Sequence, residues 1–127
     1  MTETAVEHLQ LTISDGAALQ ADLQLIAIGY SFGAAIVNAL DDVRITRKVL
    51  VAPQLAAMPT VRGKDVPTLV LTPAHDQFSA PDATEAIISD WPQTTHETIA
   101  STDHFLYGRT AHVAERALAF ITQTPFG

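Results

Sequence analysis

The tightest constraint in this sequence is Gly29-Tyr30-Ser31-Phe32-Gly33, set between a short apolar run at residues 25–29 (LIAIG) and a small-residue, helix-forming stretch at residues 32–40. A continuous apolar run of that length entering a glycine fits a strand buried on both faces of a parallel sheet. Turning from strand to helix within so few residues brings backbones close together. Glycines on either side of Ser31 provide the room, and the serine hydroxyl then projects above the C-terminal edge of the sheet.

The same buried-strand pattern recurs at residues 48–52 (KVLVA, ahead of Pro53) and 68–72 (TLVLT, after Pro67), with prolines at the margins where no ladder donor is lost. Residues 81–91 begin with Pro81-Asp82 and align Ala83, Ala86, Ile87 and Trp91 along one helical face. Residues 96–100 (HETIA) read as a last strand. Residues 109–122 read as a final helix with Val113, Ala117, Phe120 and Ile121 inward. Near the N-terminus, Leu9, Leu11 and Ile13 alternate with polar residues over positions 6–13 and run into Asp15-Gly16, a hairpin turn signal. Residues 17–24 fit helical spacing through Leu19, Leu23 and Ile26, and one face of a strand through Leu19, Ala21 and Leu23; we read them as the second strand of the hairpin.

Strands alternating with helices after residue 25 imply right-handed crossovers and an α/β architecture, a mostly parallel sheet with an antiparallel N-terminal hairpin and flanking helices. With 127 residues, 47% of them hydrophobic, the chain suffices for a single domain over residues 1–127.

Composition narrows the partners. A formal charge of −7 repels nucleic acid and anionic lipid. The chain has no cysteine, hence no disulfide and no thiolate metal site. The opening MTETAVEH is acidic where a secretory signal is basic, and the apolar stretch at residues 23–28 is far short of the roughly 20 residues that span a bilayer. A cytoplasmic protein acting on a small molecule, with no membrane or nucleic-acid partner, is expected.

A serine hydroxyl becomes a useful nucleophile only when a general base removes its proton and an acidic group holds that base in the right tautomer. Asp76, in Ala74-His75-Asp76-Gln77-Phe78, follows a strand at its C-terminal end, where open α/β sheets keep their sites. His104, in Ser101-Thr102-Asp103-His104-Phe105, lies in the loop after the last strand. Asp103 and Asp82 are weaker rivals for the acid. His75 and His96 are less well placed as the base, and His8 and His112 fit a strand and a helix face. No histidine and carboxylate cluster has metal-site spacing, and no cofactor is called for.

With these residues in place, the chain resembles the α/β-hydrolase superfamily, and more narrowly its small lid-less bacterial members, which carry Gly-Tyr-Ser-Phe-Gly-Ala, here residues 29–34, and a late Asp-His-Phe, here residues 103–105. The resemblance covers roughly residues 25–122. It implies the chain order Ser31, Asp76, His104, an oxyanion donor at the Phe32 N–H, and hydrolysis of an ester, thioester or amide-like bond. The sequence departs from the family where residue 23 runs almost directly into residue 25. Such proteins normally place two more strands and two helices there, with the loop that supplies half of the oxyanion hole. The fold expected is thus a truncated α/β-hydrolase.

Two consequences follow from that gap. The remaining candidates for a second oxyanion donor are residues 22–25. The strand leading to Ser31 also lacks a neighbour, so its edge should be covered by the N-terminal hairpin or by a second copy of the chain in a homodimer. Tyr30, Phe32, Phe78 and Phe105 flank the presumed catalytic atoms and suggest an apolar acyl pocket, although aromatics there also serve packing. A serine hydrolase is the first reading, and a histidine base predicts activity rising with pH through about 6–7. A weak or inactive binding domain, a pseudoenzyme or fragment, is the second. Strand addition of a peptide to the open sheet edge is the third.

Overall fold

The computed structural model describes residues 8–12, 18–22, 24–58 and 61–123. Strands β1 (His8–Thr12) and β2 (Ala18–Asp22) pair antiparallel with Leu11 opposite Leu19, as a hairpin should; the Asp15-Gly16 turn lies outside the described residues. The second sheet has four parallel strands in sequential order: β3 (Leu25–Tyr30), β4 (Ile45–Val51), β5 (Thr68–His75) and β6 (Thr94–Asp103). Helix α1 (Phe32–Ala39) connects β3 to β4, and α2 (Pro81–Ile88) connects β5 to β6. Helix α3 (Thr110–Ile121) follows the last strand.

Alternation along the central strands builds a core on each face of the sheet. Val49 and Val51 of β4 and Leu69 and Leu71 of β5 meet Val113 and Ala117 of α3, while Leu50 and Val70 point the other way, towards Ala34 and Val37 of α1 and Ile88 of α2. Helices α1 and α3 are anchored to the sheet through carbonyls at their C-terminal ends, which helical bonding leaves unpaired. Lys48, fully buried in β4, donates from Nζ to the carbonyls of Asn38 (3.1 Å) and Leu40 (2.9 Å), and burial lowers its pKa. Arg47 likewise donates to the carbonyls of Phe120 (2.5 Å) and Gln123 at the end of α3.

Three expectations from the sequence need correction. Helix α2 turns Thr84 and Ile88 inward, where Ala83, Ala86 and Ile87 were expected, and Ile87 is 38% exposed. The reason is a buried hydrogen bond between the Thr84 and Ser79 hydroxyls (2.9 Å), which lets a polar residue take the inner face. Strands β4, β5 and β6 are also longer than the runs at residues 48–52, 68–72 and 96–100; β5 runs on through Pro73 to His75 and β6 through Ser101 to Asp103. Their pairing shifts register between Pro73 and His75, where Ser101 adopts a left-handed φ of 60°. Such irregularities re-aim the residues at a strand's end, here those leading into Asp76 and His104.

Among the described residues, the N-terminal hairpin, one of the two covers expected for the edge of β3, does not join it. The hairpin strands pair with each other and do not extend the four-stranded sheet, so among the described strands β3 is hydrogen-bonded only to β4. Ile26 and Ile28, on one face of β3, are 42% and 52% exposed.

Candidate active site

Ser31 sits between the last residue of β3 and the first of α1, with φ 56° and ψ −119°, a conformation that a non-glycine residue holds only when its surroundings enforce it. Two backbone bonds do so: Ser31 N–H donates to the Val51 carbonyl (2.9 Å), and Ala34 N–H donates to the Ser31 carbonyl (3.0 Å). The two motif glycines differ in why they matter. A Cβ on Gly29 would lie 2.3 Å from the Gly33 carbonyl oxygen, whereas a Cβ on Gly33 would meet nothing within 4 Å. Gly29 is therefore the residue that permits the close approach of strand and helix, and Gly33 contributes its backbone to it.

The elbow, the β5–α2 loop and the β6–α3 loop bring three side chains together. Ser31 Oγ is 2.7 Å from His104 Nε2, and His104 Nδ1 is 2.9 Å from Asp76 Oδ2. Asp76 and His104 are 6% and 3% exposed, so their pairing is shielded from water. The other Asp76 oxygen, Oδ1, accepts the backbone N–H groups of Phe78 (2.8 Å) and Ser79 (3.0 Å), which fixes the carboxylate in rotation. A carboxylate only accepts, so His104 Nδ1 carries the proton, Nε2 presents its lone pair, and the Ser31 hydroxyl donates to it.

Aromatic rings hold the imidazole from three sides. Tyr30 stacks on it with centroids 5.6 Å apart, and Phe78 (4.7 Å) and Phe105 (5.5 Å) meet it edge-on. Tyr30 also donates its hydroxyl to the His104 carbonyl (2.7 Å); burial, with the negative charges of Asp76 and Asp103, raises its pKa and keeps that donor protonated. Three of the aromatics expected to form an acyl pocket thus pack on His104, while each of these residues stays 43–59% exposed.

The rival acids and bases are engaged elsewhere. Asp103 accepts from Phe105 N–H (3.0 Å) and from the Gln77 amide (3.2 Å), closing the turn that follows β6. Asp82 is in the first turn of α2. His96 bridges Glu85 (2.7 Å) and Thr72 (2.9 Å), and His75 lines a cleft with Ser101, Asp103 and Tyr107. Residues 24 and 25 cannot serve the oxyanion: they lie at the far end of β3, seven and six residues or about 20 Å from Ser31, and Leu25 N–H is bonded to the Arg44 carbonyl. The Phe32 N–H, among the first amides of α1, remains as a donor beside Ser31.

Two residues escaped the sequence reading. Gln77 accepts the His104 N–H through Oε1 (3.0 Å) and so fixes the histidine backbone. Gln54, just after β4 and Pro53, brings Nε2 to 3.0 Å from Ser31 Oγ and 3.3 Å from His104 Nε2. The signal for Gln54 was its place at the C-terminal end of a parallel strand. Among the described residues no group of three or more His, Asp or Glu could hold a metal ion, and no helix is long and apolar enough to cross a membrane.

No protein-family model matches the chain, and no curated protein matches it in sequence. Its three-dimensional relatives are clear. An α/β-hydrolase candidate of unknown function from Agrobacterium tumefaciens superposes with a TM-score of 0.62 at 16% identity, over 78% of this chain and 50% of that one. The carboxylesterase CesB (YbfK) from Bacillus subtilis gives 0.60 at 17% identity, over 77% and 60%. The chain has the α/β-hydrolase fold. An α/β serine hydrolase homologue from Coxiella burnetii agrees at 0.55 and 18% identity, over 80% and 50%. This hydrolase-fold chain therefore matches half to three-fifths of the length of those structures.

Proposed function

We propose that this protein is a serine hydrolase that cleaves an ester, thioester or amide-like bond in a small molecule, with Ser31 as nucleophile, His104 as general base and Asp76 as its orienting carboxylate. The observation that carries this reading is the unbroken hydrogen-bonded path from Ser31 Oγ through His104 to Asp76, 2.7 Å and 2.9 Å long. Oγ attacks the substrate carbonyl carbon as its proton passes to His104 Nε2, and the Phe32 N–H faces the developing oxyanion. Collapse of the tetrahedral species expels the leaving group, which takes the proton back from His104. Water then repeats the sequence on the acyl-enzyme. The likeness to a carboxylesterase fits this reading.

Hydrolysis of short-chain esters, thioesters and anilides tests it. Turnover of at least one class is expected, falling to background in Ser31→Ala while circular dichroism is unchanged; turnover that survives Ser31→Ala would overturn the assignment.

Among the described strands none pairs with the second edge of β3, and we propose a second copy of the chain as its cover. Two β3 strands can pair antiparallel about a twofold axis and bury Ile26 and Ile28 of both chains. Sedimentation velocity should return twice the chain mass of 13.6 kDa, reverting to the single mass in Ile28→Lys. A monomer in the unsubstituted protein would exclude this arrangement.

A further inference from the structure

The Gln54 amide stands at a specific place in the reaction geometry. Its Nε2 is within reach of both Ser31 Oγ (3.0 Å) and His104 Nε2 (3.3 Å), which are themselves 2.7 Å apart. Because His104 Nε2 presents a lone pair, the amide group facing it is the NH2, and Gln54 acts as a donor.

Two atoms of a tetrahedral intermediate could receive that donor, the oxyanion and the leaving atom. The oxyanion has to be kept away from the imidazolium, since otherwise it would take the proton intended for the leaving group. The leaving atom, by contrast, must lie within hydrogen-bond reach of Nε2 and, being bonded to the acyl carbon, next to Oγ. Gln54 Nε2 is on the imidazole side, so its donor faces the leaving atom.

Resting on the serine-hydrolase reading above, we propose that Gln54 is the hydrogen-bond donor to the leaving group and that it adapts the site to alkyl esters. An ester oxygen has two lone pairs: one takes the proton from His104 Nε2 as the C–O bond breaks and the carbonyl re-forms, and the other accepts the Gln54 N–H. The bond strengthens as charge gathers on the departing oxygen, so it stabilises the transition state more than the bound substrate. An amide nitrogen has one lone pair, which the proton takes, and its remaining N–H faces the Gln54 donor. A thioester sulfur accepts only weakly.

The experiment compares ethyl butyrate with 4-nitrophenyl butyrate, which share an acyl group, in the unsubstituted protein, Gln54→Ala and the near-isosteric Gln54→Met. A fluorophosphonate probe reports separately on Ser31. The expected result is a fall in kcat/KM of about tenfold or more on the ethyl ester and about threefold or less on the nitrophenyl ester, whose leaving group needs no donor, with labelling retained. Equal falls on both esters would place Gln54 at the oxyanion or in serine positioning and overturn the proposal. So would a rise in activity, or loss of labelling in both variants. Failure of the unsubstituted protein to label would instead remove the hydrolase reading, and this proposal with it.

Discussion

Asp76→Asn is expected to lower kcat by about 10⁴ while leaving the fold intact. The size of the effect follows from how the carboxylate is held. Its Oδ1 accepts two backbone N–H groups, from Phe78 and Ser79, so the asparagine oxygen must take that position and the amide NH2 must face His104. A donor opposite Nδ1 forces the proton to Nε2. The imidazole then offers Ser31 an N–H instead of a lone pair, and the serine proton has nowhere to go. Steady-state kinetics with a melting curve tests this: the loss should fall on kcat with Tm little changed. Asp103→Asn, which alters the turn after β6, should cost far less. Equal losses in the two variants would mean that Asp76 does not orient the base.

Gly29→Ala is expected to destabilise the protein by about 3 kcal/mol or more and to abolish activity with it. The added Cβ would lie 2.3 Å from the Gly33 carbonyl oxygen and 2.8 Å from the Ala34 nitrogen, all backbone, so no rotamer change relieves the clash. Either β3 or α1 must move, and Ser31 is suspended between them. Gly33→Ala is the internal control: its Cβ meets nothing within 4 Å, and alanine in place of a helical glycine should stabilise by about 0.5–1 kcal/mol. Urea denaturation of both variants decides the matter. Equal destabilisation would show that the two glycines serve the same steric purpose.

Much of this site could be read in advance because its parts are tied to chain order. The strand–Gly-x-Ser-x-Gly–helix context fixed where Ser31 would stand, and buried runs marked β4 and β5. Residues in the loops after β5 and β6 then had to face the same end of a parallel sheet, which brought Asp76 and His104 into consideration. What stayed hidden depends on long-range packing. Gln54 and Gln77 are polar loop residues that follow no period, and only the folded chain shows their amides against His104 and Ser31. Thr84 faces inward because Ser79, five residues earlier, supplies a partner. The left-handed backbones of Ala52, Ser101 and Leu106 fall on residue types that give no warning of them. The hairpin was legible as a hairpin, but its pairing outside the main sheet was not, since strand propensity says nothing about which edge a strand joins.

If Ser31 is a nucleophile activated by His104 and Asp76, it should be trapped covalently. Purified protein would be treated with a fluorophosphonate and the adduct mapped by peptide mass spectrometry. One adduct is expected, on Ser31, absent from Ser31→Ala and His104→Ala. A folded protein that acquires no adduct, or acquires it as fast in His104→Ala as without the substitution, would contradict that role for Ser31.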